Sequence, residues 1–127
     1  MPTMTIDHGY FENHEQVMQD IAKTGYWPTT YVSGLSPELP VHRHDYDIVG
    51  YVLRGSGYLL DEHKQRIDIS AGDRLNIPKG AMHAEGAVTE EMVYIVTVNE
   101  PVGLTRALTP RDLQGPMPDL SMINATL

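Results

Sequence analysis

The sequence of 127 residues contains no cysteine. That absence excludes disulfides, thiolate nucleophiles and every zinc site built on cysteine ligands. Basic residues are also few, since nine Lys and Arg stand against 17 Asp and Glu, which gives a net charge of −8. Nucleic-acid footprints and patches for anionic membranes need clustered cations, so neither partner is expected.

Long apolar runs are missing too. No uncharged apolar stretch approaches the roughly 18 residues of a membrane span. The first ten residues carry Asp7 and no basic patch followed by an apolar run, so no signal peptide is recognised and a cytoplasmic protein is expected. Hydrophobic residues make up 41% of the chain, enough for one packed core, and the length predicts a single domain over residues 1–127.

One segment, residues 13–24, has the periodicity of a helix. Val17 and Ile21 belong to an apolar set at helical spacing, Asn13 begins a capping box, and Gly25 supplies a stop. The polar residues lie mostly on the other side. This pattern predicts a helix packed on the outside of a larger body.

From residue 29 onward, short strand-like runs alternate with Gly and Pro turns at intervals of roughly 8–12 residues, the pattern of a sandwich or barrel. The predicted strands are 29–33, 48–53, 58–60, 66–69, 74–77 and 92–98. The tail, residues 101–127, is rich in proline and is expected to wrap the surface or a partner subunit.

Three of the six histidines are placed where they can bind a metal ion together. His42 and His44 lie two positions apart on a segment that Pro40 keeps out of helix, so both imidazoles face the same way. His83 follows a tight turn and can return to the same place on a neighbouring strand. The alternative is a pair of exposed imidazoles at a strand end, satisfied by water.

The residues around these histidines resemble the two cupin motifs. The second motif, G-x5-P-x-G-x2-H-x3-N, is matched with its spacing intact at four positions: Gly72, Pro78, Gly80 and His83. The first motif, G-x5-H-x-H-x3,4-E-x6-G, is matched at His42, His44 and Gly55. The resemblance covers residues 29–98. It implies an all-β fold, a small jelly-roll β-barrel with the short N-terminal helix outside it, a metal ion held inside at one end, and a homodimer.

The chain departs from the motifs at three positions: Ser36 replaces the first Gly, Ala87 the final Asn, and Ile48 the metal-binding Glu. Only the last departure bears on chemistry. By strand alternation Ile48 shares the face of Val52, so an apolar side chain takes the place of the carboxylate. Asp47 is the nearest carboxylate and turns inward only if the strand contains a β-bulge. The predicted metal ligands are therefore His42, His44 and His83, with Asp47 as a candidate fourth.

Three neutral imidazoles leave a divalent ion its full +2 charge and open positions for water, dioxygen or a chelating ligand. Imidazole does not choose among transition metals, so Fe, Zn, Ni and Mn all stay candidates for the cofactor. The pocket is expected to be apolar and its ligand small. The side chains expected to line it are Tyr46, Ile48, Val52, Leu75, Ile77 and Met82.

Two functions fit these features. The first is a metal-dependent, dioxygenase-like enzyme acting on a small molecule, because some cupin oxygenases use three histidines and no acid–base residue stands out here; isomerisation or elimination comes second. The alternative is a non-catalytic module that binds or senses a small molecule, with Ile48 marking a lost metal site. Metal-free sugar-nucleotide epimerisation needs a His–Asp base and inward cations, which the sequence does not show.

Overall fold

The computed structural model describes residues 2–116 and 124–125. The described elements, in chain order, are β1 (Thr5–Asp7), α1 (His14–Thr24), β2 (Trp27–Ser33), β3 (Ile48–Arg54), β4 (Ser56–Leu60), β5 (Arg66–Ser70), β6 (Arg74–Ile77), β7 (Ala84–Glu85), β8 (Met92–Val98), α2 (Leu104–Ala107) and β9 (Asn124–Ala125). Neither described helix has the length and apolar character needed to span a bilayer.

The strands form two antiparallel sheets. The larger has the order β1-β6-β3-β8-β2-β9, and the smaller has the order β5-β4-β7. Isolated antiparallel bridges, including Ser36 with Val88 and His42 with His83, add further pairing outside the named strands. The all-β jelly-roll expected from the sequence is thereby confirmed.

Strand β3 separates two apolar cores because both of its faces are covered. Ile48 and Val52 belong to the interior cluster, together with residues from β4, β5, β6 and β8. Val49 and Tyr51, which alternate with them, pack against α1 through Val17 and other apolar side chains. Burial on both faces explains why this strand is a continuous apolar run rather than an alternating one.

Helix α1 has the boundaries that its capping residues dictate. The Asn13 side-chain oxygen accepts a hydrogen bond from the Gln16 amide at 3.0 Å, and Gln16 Oε1 accepts one from the Glu12 amide at 2.6 Å. At the other end Gly25 adopts a φ of 72° and its amide donates to the Ile21 carbonyl at 2.9 Å. The helix spans His14–Thr24, compared with the predicted range of residues 13–24, because Asn13 is the N-cap.

Several elements differ from the sequence prediction. Strand β2 begins at Trp27 rather than at residue 29, so it includes Pro28. In the described part of the chain β2 pairs with β9 only at Tyr31 and Val32, so no β9 residue needs a hydrogen bond from the position of Pro28. Strands β1 and β7 have three and two residues, too short to carry a hydrophobic period. Residues 117–123 and 126–127 of the predicted tail lie outside the described residues.

Asp73, within the Gly72–His83 stretch, holds the N-terminal segment against the barrel. The residue is 4% exposed, and its carboxylate accepts hydrogen bonds from the Gly9 and Ser70 amides, both at 2.9 Å, with His8 Nδ1 at 3.2 Å. Burial alone would raise the pKa of Asp73, but these hydrogen bonds hold that pKa below its ordinary value.

We expect Asp73→Asn to lower the free energy of unfolding by about 1–3 kcal/mol at neutral pH, because it weakens hydrogen bonds to a buried charge. A carboxyl whose pKa is depressed by folding stabilises the native state above its unfolded pKa of about 4, and this contribution is lost as the pH falls through the lower folded pKa. Urea unfolding should therefore show the difference between the two proteins shrinking below about pH 4.

Asp68→Asn is the matched control for Asp73→Asn. Its side chain is 76% exposed and pairs only with Arg66 among the described residues. We expect a change in unfolding free energy within about 0.5 kcal/mol. An Asp73→Asn protein as stable as the parent at neutral pH would contradict the anchoring role.

Candidate metal centre

Backbone pairing brings the two histidine segments together. The His42 amide donates to the His83 carbonyl at 2.8 Å, and the His83 amide donates to the His42 carbonyl at 2.9 Å. The Gly80 amide donates to the His44 carbonyl at 3.1 Å, so the tight turn before His83 is tied to the same segment. Gly80 has a φ of 84°, a conformation that residues with a side chain rarely adopt, which explains the glycine in this turn.

The three imidazoles form a nearly equilateral triangle. The ring centroids are 4.9 Å apart for His42 and His44, 4.8 Å for His42 and His83, and 5.0 Å for His44 and His83. The residues are 1%, 2% and 0% exposed, respectively. His42 and His44 therefore face the same way, as alternation on an extended segment predicts. The ring of His83 lies next to both of them.

Each imidazole has its Nδ1 atom next to a backbone carbonyl oxygen. The distances are 2.7 Å from His42 to Pro40, 3.4 Å from His44 to Thr109, and 3.0 Å from His83 to Ala81. A carbonyl oxygen only accepts, so Nδ1 must carry the proton, and a neutral ring then presents a lone pair at Nε2. Carbonyl contacts of this kind orient histidine ligands in metal sites.

A carboxylate completes the cluster. Glu85 on β7 has Oε1 at 3.4 Å from His83 Nε2 and Oε2 at 3.3 Å from His42 Nε2. Each of His42, His44, His83 and Glu85 offers one ligand atom, and these atoms all lie within 4.8 Å of one another. The Glu85 side chain is 39% exposed and forms part of a cavity wall.

Burial and the neighbouring groups shift the pKa values of residues in the cluster. Burial lowers the pKa of His44 to about 4, so this ring is neutral at physiological pH. Burial would lower the pKa of His83 as well, but the adjacent Glu85 carboxylate raises that pKa above its ordinary value. Burial by itself would raise the pKa of Glu85. The contact with His83 and the electrostatic effect of the other two imidazoles together outweigh burial and lower that pKa, so the carboxyl is ionised.

The residues fit a bound cation. His44 Nε2, His83 Nε2 and Glu85 Oε2 are buried and have no hydrogen-bond partner among the described residues. When Nδ1 carries the proton and His83 is neutral, His83 Nε2 and Glu85 Oε1 present lone pairs to each other, and this repulsion is relieved either by a second proton on His83 or by a metal ion between the two atoms. A divalent ion can accept lone pairs from all four side chains, and three His with one carboxylate is a donor set that transition metals take.

Comparison with known families now identifies the fold family. The model of the cupin domain matches residues 32–99, which contain all four cluster residues. The chain belongs to the cupin family. No curated protein sequence matches this cupin significantly.

Solved structures with the same fold have low sequence identity to this cupin. A DUF861 family protein from Thermotoga maritima is 16% identical, with a TM-score of 0.54 over 75% of this chain and 98% of that one. An acireductone dioxygenase from Bacillus anthracis, with a cadmium ion in its active centre, is 17% identical, with a TM-score of 0.55 over 76% of this chain and 62% of that one. A DMSP lyase from Ruegeria pomeroyi is 19% identical, with a TM-score of 0.51 over 65% and 44%. These likenesses concern the fold alone.

The carboxylate of the cluster comes from the second cupin motif rather than the first. Ile48, at the usual position of the glutamate, is 4% exposed and lies in the interior apolar cluster, as strand alternation predicts. Asp47, the predicted candidate fourth ligand, is not in the cluster: its carboxylate accepts hydrogen bonds from the Lys79 amide at 2.7 Å and from Asn99 Nδ2 at 3.3 Å. The cluster therefore contains one residue that the predicted set does not, Glu85.

A sequence signal for Glu85 exists. His83 and Glu85 lie two positions apart, the same spacing as His42 and His44, and on an extended segment that spacing places both side chains on one face. Gly86, which follows, is also constrained, because a Cβ atom there would lie 2.5 Å from the Tyr58 ring. This spacing is a weak signal by itself, because the two residues of β7 show no strand period that would establish an extended segment.

The cavity beside the cluster has a volume of about 460 Å³ and walls from both sheets. Of the six predicted pocket residues, Ile48, Leu75 and Ile77 line it. Val52 is fully buried in the interior cluster but does not line the cavity, and neither do Tyr46 and Met82, which are half-buried. Lining residues that sequence reasoning missed include Tyr31, Met92, Tyr94, Leu104 and Leu108.

The C-terminal segment closes one side of the site. Residues 104–110 contribute Leu104, Thr105, Leu108, Thr109 and Pro110 to the cavity wall. Arg43 and Arg111 exchange backbone hydrogen bonds at 2.9 and 2.8 Å. Asp45 accepts from the side chains of both arginines at 2.9 Å, and Arg43 also pairs with Asp112. The two residues that flank His44 are therefore tied to the segment whose Thr109 carbonyl meets the His44 ring.

Proposed function

We propose that this cupin binds a divalent transition metal through His42, His44, His83 and Glu85. We further propose that it is an enzyme that acts on a small, largely apolar molecule that chelates the metal through oxygen, with oxygenation as the expected reaction. The observation that carries the proposal is the convergence of three oriented imidazoles and one carboxylate whose buried atoms lack other partners.

A bound ion such as Fe(II) would supply Lewis-acid and oxygen-activating chemistry. The carbonyls of Pro40, Ala81 and Thr109 hold the three rings in the tautomer that offers Nε2. Glu85 brings one negative charge, so the charge of the loaded cluster falls from +2 to +1. The cavity walls are mostly apolar, so a ligand that fills the cavity would displace water from beside the cluster.

Two phenols in the cavity can hydrogen-bond a ligand. Tyr31 and Tyr94 pair directly across β2 and β8, with ring centroids 5.8 Å apart in an edge-on arrangement. Burial raises the pKa of Tyr31 to about 12, and burial together with the charge of Glu85 raises the pKa of Tyr94. Both hydroxyls therefore stay protonated at physiological pH and act as donors.

Elemental analysis of untagged protein purified without chelator tests the metal site. We expect about one equivalent of Fe, Mn, Co, Ni, Cu or Zn per chain. A chain that is isolated without metal and takes up neither added Fe(II) nor Zn would overturn the proposal and favour a metal-free binding module.

An oxygen-uptake screen of the metal-loaded protein with small diketones, thiols and catechols tests the reaction class. We expect uptake with at least one oxygen-chelating compound and none after the metal is removed by chelation. Saturable binding without uptake, product or isomer would favour the non-catalytic binding or sensing module over the enzyme.

The homodimer and the cytoplasmic location remain predictions from the resemblance and from sequence features. Sedimentation velocity at several protein concentrations measures the first. A monomer at all concentrations would contradict the predicted dimer without affecting the metal site.

A further inference from the structure

The cavity contains one strongly charged region. His42, His44 and Glu85 form part of its wall, and among the described lining residues Glu85 is the only Asp or Glu. With a divalent ion, three neutral imidazoles and one carboxylate, this region carries a net charge of +1. One negative oxygen of a ligand would therefore neutralise it.

The rest of the wall is neutral. It consists of glycines and of aliphatic, aromatic, hydroxyl and thioether side chains, contributed by β2, β3, β4, β6, β8, residues 86–88, residues 104–110 and two residues of the β2–β3 connection, Ser36 and Leu39. All nine Lys and Arg residues of the sequence lie in the described part of the chain, and none of them lines this cavity. A second acidic group held inside the cavity would lose its water without gaining a counter-charge, which is strongly unfavourable.

Uncharged polar groups meet no such obstacle. The Tyr94 hydroxyl donates to the Met92 sulfur at 3.2 Å, and a thioether is a weak acceptor. A carbonyl or hydroxyl oxygen of a ligand can replace that sulfur as the better acceptor. The volume of about 460 Å³ also limits the ligand, because it lies in the lower half of the range of about 300–1,000 Å³ that small-molecule sites have.

We propose that the cavity selects ligands that carry a single negative charge, on the oxygens that reach the metal cluster, and an uncharged body. It excludes ligands with a second acidic group, such as a carboxylate or a phosphate. The inference rests on the proposed function, because the charge of the cluster includes the metal ion.

Three catechols that differ in one substituent test the selection. The probes are 4-methylcatechol, 3,4-dihydroxybenzamide and 3,4-dihydroxybenzoate, titrated calorimetrically into the Zn-loaded full chain. Zinc is redox-silent, so binding is measured without turnover. The amide matches the carboxylate in size and shape and differs from it in charge. Each affinity is divided by that of the same probe for Zn in solution.

We expect the amide to bind within about threefold of the methyl compound and the carboxylate to bind at least about tenfold more weakly, a difference equivalent to about 1.4 kcal/mol. Equal affinity for the amide and the carboxylate would overturn the selection by charge. An amide as weak as the carboxylate would overturn it as well, because the wall would then discriminate by size or polarity.

Zinc content is measured before the titrations, which separates the two proposals. A chain that retains no Zn contradicts the metal site itself. A fully loaded chain that binds the carboxylate as tightly as the amide contradicts only the charge selection.

Discussion

Replacing Glu85 with glutamine is expected to lower the affinity for Zn or Fe(II) by more than about 100-fold. Changing a residue that only supports a metal ligand typically costs 10–100-fold, and the loss of a charged ligand should exceed that. Glutamine keeps the size of the side chain, so the barrel should fold normally. Competition against a chromophoric chelator near neutral pH measures the affinity.

Asp47→Asn is the matched control for Glu85→Gln. Both changes neutralise one carboxylate near the histidines, but Asp47 is engaged by the Lys79 amide and Asn99 instead of the cluster. We expect its metal affinity to stay within about threefold of the parent. A large loss of metal affinity in Asp47→Asn, together with normal metal affinity in Glu85→Gln, would show that Glu85 is not the carboxylate ligand.

Metal binding is expected to raise the melting temperature by about 10–20 °C. A ligand present at about 1,000 times its Kd stabilises the native state by about 4 kcal/mol, and for a domain of this size each kcal/mol corresponds to several degrees. The physical source is the pairing of His44 Nε2, His83 Nε2 and Glu85 Oε2, which otherwise lack hydrogen-bond partners in the described structure. Differential scanning calorimetry with and without Zn measures the shift.

His83→Ala should abolish that shift. The shift is compared between the metal-free and metal-saturated forms of the same variant, so any loss of packing at this fully buried position does not affect the result. His63→Ala is the control, because His63 is a 75% exposed histidine outside the cluster, and its shift should equal that of the parent. An undiminished shift in His83→Ala would contradict the assignment of this ligand.

The position of Glu85 shows why the sequence prediction did not include the carboxylate of the cluster. In the cupin motif the glutamate lies at the position of Ile48, and the carboxylate nearest to Ile48 in the sequence is Asp47. Strand alternation correctly directed the Ile48 side chain inward, into the interior cluster. The same rule also applies to Glu85, but two residues of β7 give no hydrophobic period from which to recognise a strand.

The pocket was predicted in part for a related reason. Ile48, Leu75 and Ile77 lie on strands with clear periods, and their inward positions follow from alternation. Tyr46 and Met82 lie outside the named strands, where alternation does not determine side-chain direction. Leu104 and Leu108 come from a segment whose place over the cavity depends on pairing between residues far apart in sequence, such as Arg43 with Arg111.

The sequence by itself determined the all-β fold, the N-terminal helix and the convergence of His42, His44 and His83, because those features depend on short-range periodicity and on a motif of fixed spacing. Only the tertiary structure decided which carboxylate joins the histidines and which segment closes the cavity. Both depend on contacts between distant parts of the chain. One example is the reciprocal pairing of His42 with His83, which brings Glu85 to within 3.4 Å of both rings.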